Sequence, residues 1–362
     1  RQLPPFDNSA MDGYAVRRDD TTGASEPSPI ELTVVETIPA GAVSSRVLQS
    51  GEAFRIFTGA AVPQGADAIV IQENTKREND VVQILQEAKP KEHIRFMGED
   101  VELDSLILTQ GTKLGPGELA MLAAQGHLSI EGYKKPRVAV LPTGDEVKPL
   151  DHPLEPGQIP NSNSHMLAAQ VELCGAIALQ QPIAPDDPEA LVQCLKQAGQ
   201  NADLILTCGG VSVGDFDYVK STLEDQGQVE FWKVAIKPGK PLAFGTIAGV
   251  PILGLPGNPV SSFVTFELFA RPAISKLAGI KSQFAPRVIA NLTHDVKLNK
   301  TREQFLRATV SQSDTGFQIT ATSKQGSGQL SSMVNINSLA HIPIGEGILE
   351  TGSPVEAIYL PV

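Results

Sequence analysis

A predicted turn between a strand and a helix, near the middle of the chain, combines glycines with two carboxylates. The apolar run Asp203–Cys208 ends in two glycines, which predicts a buried parallel strand that enters a tight turn. This cradle turn, residues 209–217, carries Asp215 and Asp217 and precedes a predicted helix. Its backbone amides can bind a phosphate, and its acids can hold a metal ion that accompanies the phosphate. The residues expected to contact the anion are Gly209, Gly210, Ser212 and Gly214.

Further acidic residues fall in loops near the same predicted sheet edge. With Glu146 and Asp186, the acids of the cradle turn form a set of hard oxygen ligands that suits Mg²⁺, which takes one or two carboxylates together with phosphate and water. No cysteine or histidine cluster accompanies them, which argues against zinc. The chain also lacks a nucleophile elbow, a P-loop and a dinucleotide-binding glycine motif. The pattern indicates metal-assisted chemistry on a phosphorylated small molecule, without covalent catalysis.

Two other motifs are suited to anion binding. Lys233, Lys237 and Lys240 lie near a bend made rigid by Pro238 and Pro241, which can point ammonium groups at a phosphate or an oxyanion. A proline loop follows a predicted strand further along the chain, and its amides open a helix. The residues of this proline loop are Pro256, Gly257, Asn258 and Pro259. Taken singly, each motif has an ordinary alternative: capping aspartates, solvated lysines or a proline-initiated helix.

The elements that must position these motifs alternate between strands and helices over residues 136–283. This alternation predicts a doubly wound α/β domain, in which ligands bind beyond the carboxyl ends of the strands. The acidic loop (Thr143–Glu146), the cradle turn and the proline loop should therefore meet at one edge of the sheet. Within the domain, one helix is predicted after a cap within residues 161–164 and another after a cap at Asp187, and FWKVAI is predicted as one strand.

The sequence predicts β structure for the rest of the chain, interrupted by one connector. Residues 1–104 predict a β-rich domain, for which a small barrel is one arrangement, and residues 284–362 predict a small barrel or sandwich. Residues 105–135 predict a connector with a helix that begins near Pro116 and ends at Gly126, followed by a strand. The fold class expected is thus multidomain α/β plus β.

Bulk properties narrow the functional class. The net charge of −12 and a pI near 5.0 argue against nucleic acid as a partner. Cys174, Cys194 and Cys208 show no metal or redox spacing, which indicates buried free thiols in a reducing compartment. No apolar run approaches the roughly 18 to 20 residues of a membrane span, and no signal peptide is evident. We therefore expect a cytoplasmic protein that binds no membrane.

Six motifs together resemble one family. DNSAMDGYAV, RIFTGAAVPQGADAIV, LPTGDEV, GGVSVGDFDYV, IKPGKPLAFG and GLPGNPVSSF occur in the order and spacing of the molybdopterin molybdenumtransferases, the family of MoeA and the gephyrin E-domain. The resemblance runs from Pro5 to about Gly328. It implies a β lid domain, a connector, a molybdopterin-binding α/β domain and a C-terminal β domain. Family members usually carry a helical segment before the first motif, so we expect truncation or disorder at this end.

The resemblance implies an activity as well. Members of the family insert molybdenum from molybdate into adenylyl-molybdopterin and release AMP, with Mg²⁺ required, as homodimers whose active site lies between subunits. It also implies partners, namely the molybdopterin adenylyltransferase and proteins that mature molybdoenzymes. The residues to which it assigns catalysis are Asp12, Thr58, Asp100, Glu146, Asp186, Asp217, Lys233 and Lys237, with Glu146, Asp186 and Asp217 at the metal. The residues to which it assigns substrate contacts outside the cradle turn are Pro256, Pro259, Arg307 and Ser327.

Two other functions compete with this one. The adenylyltransferase that makes the preceding intermediate shares the α/β domain, but the lid and the C-terminal β domain argue against it. A binding scaffold could retain the fold and lose catalysis, as the gephyrin comparison permits. The presence of Asp12, Glu146, Asp217 and Lys237 argues against lost catalysis.

Overall fold

The computed structural model describes residues 1–210, 218–281, 284–314 and 316–360. They form two compact units. The first comprises Arg1–Thr109 and Leu114–Leu128, and the second comprises Gln110–Lys113 and the chain from Ser129 onward. Asp215 and Asp217, with Ser212 and Gly214, lie outside the described residues.

The first unit is built on a six-stranded mixed sheet. The unit as a whole contains eight strands: β1 (Asn8–Ser9), β2 (Gly13–Val16), β3 (Ile30–Ile38), β4 (Glu52–Ile56), β5 (Ala68–Ile71), β6 (Thr75–Glu78), β7 (Val81–Ile84) and β8 (Ile94–Arg95). The sheet order is β5-β2-β4-β3-β7-β6, and β1 pairs with β8 in a separate ribbon. Apolar side chains pack on both faces, around Tyr14 and Val82 on one and around Phe54 and Ile56 on the other. The predicted β domain is confirmed, as an open sheet and not a closed barrel.

The connector contains one helix, α1 (Pro116–Ala124). Proline occupies its first turn, and Glu118 Oε2 accepts a hydrogen bond of 2.8 Å from the Gly115 amide. Gly126 follows the helix with φ +81°, a conformation that glycine adopts without strain, so both predicted helix ends are confirmed. The prediction of a strand after this helix is wrong. Residues 127–135 form no strand, and their side chains are exposed, so no partner strand is available for pairing.

The second unit begins with the α/β domain. Its strands are β9 (Arg137–Pro142), β10 (Val147–Lys148), β11 (Ile159–Pro160), β12 (Ile177–Gln180), β13 (Leu204–Cys208), β14 (Gly227–Trp232), β15 (Ile236–Lys237), β16 (Ala243–Ile247) and β17 (Val250–Leu255). Its helices are α2 (Ser162–Leu173), α3 (Pro188–Gly199), α4 (Tyr218–Gln226), α5 (Pro259–Thr265) and α6 (Arg271–Leu277), with a π-helical turn, Phe266–Ala270, between the last two.

The order of the main sheet is β12-β9-β13-β17-β16-β14. The first four strands are parallel, and β16 and β14 form an antiparallel edge. Apolar clusters cover both faces, one formed with α2 and the α5–α6 stretch and the other with α3 and α4. Helices on both faces of a mostly parallel sheet confirm the doubly wound prediction, with an antiparallel edge.

Local sequence sets the helix starts in this domain. Asn161 Oδ1 accepts hydrogen bonds from the Ser164 amide and hydroxyl, at 3.3 and 2.7 Å, and so caps α2. Asp187 Oδ1 accepts a hydrogen bond of 2.8 Å from the Ala190 amide, with Pro188 at the first position of α3. These side chains satisfy amides that have no partner within the helix, and both predicted caps are confirmed.

The prediction of FWKVAI as a single strand is wrong. The chain breaks between β14 and β15 at Lys233, whose φ is +79°. The two pieces then enter different sheets, because β14 pairs with β16 while β15 pairs with a strand of the C-terminal domain. Two hydrogen bonds of 3.0 Å, Lys233 N to Leu242 O and Val234 N to Lys240 O, close the loop between them.

The C-terminal domain is a closed barrel. Its strands are β18 (Arg287–Leu292), β19 (Val296–Lys297), β20 (Glu303–Ser313), β21 (Gly316–Ala321), β22 (Ser338–Ile342), β23 (Ile348–Leu349) and β24 (Pro354–Tyr359). The order β20-β21-β18-β24-β22 is closed by pairing of β20 with β22, which confirms a barrel. β15 extends this sheet beside β20. None of the helices in the described residues is long and apolar enough to cross a membrane.

Candidate active site

A cavity of about 810 Å³ opens at the carboxyl ends of the parallel strands in the second unit. The acidic loop, Gly209 and Gly210 of the cradle turn, and the proline loop all line it. The start of α2 and two residues of the barrel domain, Gly328 and Leu330, complete the wall. The predicted convergence of three loops is therefore confirmed for the part of each loop that the structure describes. Such a crevice is where open α/β sheets bind their ligands.

Backbone hydrogen bonds hold the three strand ends together below the cavity. The Gly209 amide donates to Leu255 O at 3.1 Å, and the Thr143 amide donates to Cys208 O at 3.4 Å. Gly209 has φ +118°, and a Cβ atom there would lie 2.6 Å from Thr143 Oγ1. Only glycine fits this position, because a side chain would be strained and would collide with a buried hydroxyl. That hydroxyl has no hydrogen-bond partner among the described residues.

Two of the predicted metal ligands line the cavity. Glu146 is exposed, and Asp186 is half-buried. Asp186 Oδ2 accepts a hydrogen bond of 3.2 Å from the Asp145 amide, and Asp145 Oδ1 accepts one of 3.2 Å from the Asp186 amide. This reciprocal pair joins the residue that precedes Glu146 to Asp186. Within the described ranges no group of three or more metal-ligating side chains occurs, and the third predicted ligand, Asp217, lies outside them.

The proline loop is anchored by α2 and by its own helix. Asn163 Nδ2 donates a hydrogen bond of 2.7 Å to Gly257 O, and the Ser262 amide donates to Asn258 O at 2.9 Å. Pro259 begins α5, which runs on through the π-helical turn into α6, so the loop lies at the N-terminal end of a long helical stretch. Amides at such an end favour an anion. Sequence analysis missed Asn163 because it predicted this segment only as a helix cap.

A loop of the barrel domain packs against the start of the same helix. The Val260 amide donates a hydrogen bond of 3.0 Å to Ser327 O. Arg307, in β20, is fully buried, and its Nη2 donates to the carbonyl oxygens of Lys324 and Gly326 at 3.1 and 3.3 Å. Burial lowers the pKa of Arg307 to about 10. In this structure Arg307 supports the loop that brings Gly328 to the cavity, and its guanidinium does not line the cavity.

The lysines predicted near the site are exposed. Lys237 and Lys240 flank the bend, and Pro241 of the same bend lines the cavity. Lys233 lies at the break between β14 and β15. Among the residues that line the cavity in the described part of the chain there is no lysine. The bend thus brings Pro241 to the cavity wall and leaves the three lysine side chains exposed to solvent.

In the first unit, Asp12 and Thr58 form a tight pair. Asp12 Oδ1 accepts hydrogen bonds from the Thr58 amide at 2.8 Å and from the Thr58 hydroxyl at 2.7 Å. These bonds, with a smaller contribution from Arg55, hold the pKa of Asp12 below its usual value, so the carboxylate is charged at neutral pH. Asp100 is exposed, and its amide donates to Leu3 O at 2.9 Å. The structure brings Asp12 and Thr58 together, and Asp100 lies in a separate loop of the same unit.

Comparison with known proteins covers nearly the whole chain. Three family models match: "MoeA N-terminal region (domain I and II)" over residues 1–126, "Probable molybdopterin binding domain" over 139–276, and "MoeA C-terminal region (domain IV)" over 290–360. A molybdopterin molybdenumtransferase from Nostoc sp. is 40% identical over 99% of this chain and 84% of its own. The chain belongs to the MoeA family.

Other MoeA family members agree with this assignment. Molybdopterin molybdenumtransferase 2 from Mycobacterium tuberculosis is 44% identical over 84% of this chain and 77% of its own. A crystal structure of the molybdopterin biosynthesis MoeA protein from Pyrococcus horikoshii matches with a TM-score of 0.83 and 33% identity, over 99% of this chain and 88% of that one. The chain is therefore an enzyme of the molybdopterin molybdenumtransferase class. The resemblance of its six motifs to this family is confirmed.

Proposed function

We propose that this MoeA family protein inserts molybdenum from molybdate into adenylyl-molybdopterin and releases AMP, in a reaction that requires Mg²⁺. The observation that carries the proposal is the cavity in which two carboxylates face the glycine and proline loops. Exposed amides suit phosphate groups, and carboxylates suit a cation bound to them. Relatives named molybdopterin molybdenumtransferase, at 40 and 44% identity, support this substrate class.

Each loop of the cavity has a task in this proposal. We assign the two phosphates of the substrate to the amides of Gly210, Gly257 and Asn258, while Gly209, whose own amide donates to Leu255 O, allows the backbone to approach them closely. Glu146 and Asp186 fit Mg²⁺, since their oxygens line the cavity and this ion needs few protein ligands; Asp217 is the third proposed ligand. When bound, Mg²⁺ would neutralise charge on the phosphates and so favour hydrolysis of the phosphoanhydride, in which a water is consumed to give AMP and the phosphate monoester of the pterin. Lys233 and Lys237 are proposed to attract the molybdate oxyanion, whose charge is negative.

The remaining proposed residues come from the flanking domains. We assign Asp12, Thr58 and Asp100 to the site of the other subunit in a homodimer, where the lid of one chain serves the α/β domain of its partner. The Asp12–Thr58 pair supports this assignment, because a charged carboxylate held by two hydrogen bonds is fixed in position for a ligand. Ser327 and Arg307 would act through the barrel loop that reaches the cavity. Three free cysteines are in keeping with the expected cytoplasmic location.

The test is incubation of the protein with adenylyl-molybdopterin, molybdate and Mg²⁺. We expect AMP and an active molybdenum cofactor, detected by reconstitution of a cofactor-free molybdoenzyme. Transfer of AMP from ATP to molybdopterin would instead identify an adenylyltransferase. Binding of the pterin without any AMP release would identify a scaffold. Either result would overturn the proposal.

A matched pair of variants tests the role of Asp12. Asp12→Asn keeps an oxygen that can accept both Thr58 hydrogen bonds and removes only the negative charge. Asp295 in the barrel domain has the same arrangement, because its Oδ1 accepts from the Thr351 amide and hydroxyl, both at 2.8 Å. We expect Asp12→Asn to lower the rate of AMP release about 100-fold, to a residual rate that can still be measured, and Asp295→Asn to retain the parent rate. Equal activity in the two variants would remove Asp12 from the site.

A further inference from the structure

Arg55 in the first unit contacts two other segments of the chain and an aromatic ring that follows in its own segment. It lies in β4 opposite Tyr14 of β2. Its guanidinium carbon lies 5.1 Å from the centroid of the Tyr14 ring and 4.9 Å from that of the Phe57 ring. Nη1 donates a hydrogen bond of 3.0 Å to Gly13 O, and Nη2 donates one of 2.7 Å to Gln72 Oε1. Planar stacking and a fork of donors are properties that arginine offers and lysine does not.

Each of these segments leads directly to Asp12. Gly13 follows it in sequence, and the Gln72 amide donates a hydrogen bond of 3.0 Å to Asp12 O. Phe57 immediately precedes Thr58, the residue that donates two hydrogen bonds to Asp12 Oδ1. Arg55 therefore contacts Gln72, which holds the backbone of Asp12, and Phe57, the neighbour of the residue that holds its side chain. Asp12 Oδ2 has no hydrogen bond to a described residue and stays available for a ligand.

We propose that Arg55 is a positioning residue that fixes the Asp12–Thr58 pair for catalysis. The inference rests on the proposed function, because it requires the Asp12 carboxylate to act in molybdenum insertion. Its physical content is that the guanidinium joins the segments around residues 13 and 72 to its own segment, which continues into Thr58. Backbone pairing of β2 with β4 aligns Gly13 with Ile56 but includes neither Asp12 nor Thr58, so the guanidinium adds side-chain support at the two strand ends from which these residues extend. A shift of about 1 Å in such a group can lower a rate about 100-fold.

Two variants separate this role from a simple effect of charge. Arg55→Gln removes the charge, the fork and the stacking, whereas Arg55→Lys keeps the charge and removes the other two. Arg46 provides a matched control in the same unit, in the loop between β3 and β4. Its guanidinium carbon lies 6.0 Å from the Phe54 ring centroid, its Nη2 lies 3.4 Å from Glu52 Oε1, and its Nη1 donates to Val35 O at 3.5 Å. None of these contacts is with Asp12 or with Gly13, Thr58 or Gln72.

Initial rates of AMP release give the first result. We expect the initial rate to fall about 10- to 100-fold in both Arg55 variants and to stay within about twofold of the parent rate in Arg46→Gln. Thermal unfolding shows whether each variant is folded at the assay temperature. Full activity in Arg55→Lys would overturn the proposal, because charge alone would then suffice. A fall of the same size in Arg46→Gln would also overturn it, since the effect would be general to the unit.

The second result comes from adding Arg55→Gln to Asp12→Asn. If Arg55 acts through Asp12, the double variant releases AMP no more slowly than Asp12→Asn alone, because contacting residues are not additive. A further fall of 10-fold or more would mean that Arg55 acts elsewhere, and the proposal would be wrong.

A titration of the Asp12 carboxyl by ¹³C NMR measures the effect of Arg55 on the Asp12–Thr58 pair without any substrate. In Arg55→Lys, which keeps the positive charge, we expect the pKa of Asp12 to rise towards its ordinary value, because the Thr58 hydrogen bonds that lower it most are then held less firmly. Arg46→Gln should leave it unchanged, and an unchanged value in Arg55→Lys would overturn the proposal. This measurement also separates the two hypotheses. If the parent protein releases no AMP, the proposed function fails, while the titration still decides whether Arg55 positions Asp12.

Discussion

Replacing Gly209 by alanine tests the conformation of the strand end that supports the cradle turn. Two features oppose a side chain at this position. The backbone has φ +118°, where residues other than glycine are strained, and a Cβ atom would lie 2.6 Å from Thr143 Oγ1 and 3.1 Å from Thr143 O. Strain of this kind costs about 1 to 3 kcal/mol. Overpacking of a buried contact costs about 1 to 3 kcal/mol more. We expect Gly209→Ala to lower the free energy of unfolding by about 2 to 6 kcal/mol.

Four further variants divide this loss into its parts. Gly352→Ala isolates the backbone strain, because Gly352 has φ +86° and no atom lies within 4 Å of its Cβ position. Gly257→Ala, in the proline loop, has neither problem, since its nearest atom is Gly209 Cα at 3.6 Å. Adding Thr143→Ala to Gly209→Ala removes the colliding hydroxyl and should restore about 1 to 3 kcal/mol. Thr143→Ala alone should be nearly neutral, because the lost hydroxyl has no partner among the described residues.

Urea unfolding monitored by circular dichroism measures these differences, with the slope checked for a common denatured state. From the most to the least stable, the expected order is Gly257→Ala, Gly352→Ala and Gly209→Ala. If Gly209→Ala were as stable as the parent, the strand end could not have the described backbone conformation. If Thr143→Ala failed to restore stability to the double variant, the collision would not be part of the cost.

The remaining predictions concern a buried ion pair, a buried thiol and the metal. Glu267→Gln leaves Arg271 buried without its carboxylate partner and should cost about 3 to 5 kcal/mol in urea unfolding. Glu346→Gln, which removes an exposed pair with Lys300, should cost less than about 1 kcal/mol, and equal costs would contradict the burial of the first pair. Cys208 should resist iodoacetamide at pH 8 until the protein unfolds, because burial raises its pKa to about 12; rapid labelling of the native protein would refute this. Chelation should stop AMP release and added Mg²⁺ should restore it, whereas full activity in excess EDTA would exclude the proposed metal.

Much of the α/β domain could be predicted because its signals are local. Apolar runs such as Leu204–Cys208 are long enough to identify buried strands, and capping residues such as Asn161 and Asp187 fix helix starts through bonds to amides three residues away. The convergence of three loops followed from topology alone, because the carboxyl ends of parallel strands share one edge.

Features that depend on distant partners could not be predicted in this way. The break at Lys233 arises because β15 pairs with β20, about seventy residues further along the chain, and nothing in FWKVAI itself indicates this partner. The contact of Asn163 with Gly257 likewise joins segments far apart in sequence. Arg307 was expected at the substrate on resemblance, and its burial beneath the barrel loop depends on packing that sequence patterns do not report. The substrate contact of Arg307 stays a prediction.

The pairing of β15 with β20 has a consequence for protein engineering. Ile236 and Lys237 are aligned with Glu303 and Gln304 of the barrel, although they belong by sequence to the α/β domain. A chimaera that exchanged barrels between relatives at residue 284 would therefore also exchange the strand that supports the lysine bend. Successful recombination would need the crossover point placed before Lys233, so that the bend and its supporting strand are inherited together. The segment that must be exchanged as one piece in this half of the molecule is thus larger than the barrel itself, because it includes the lysine bend and β15.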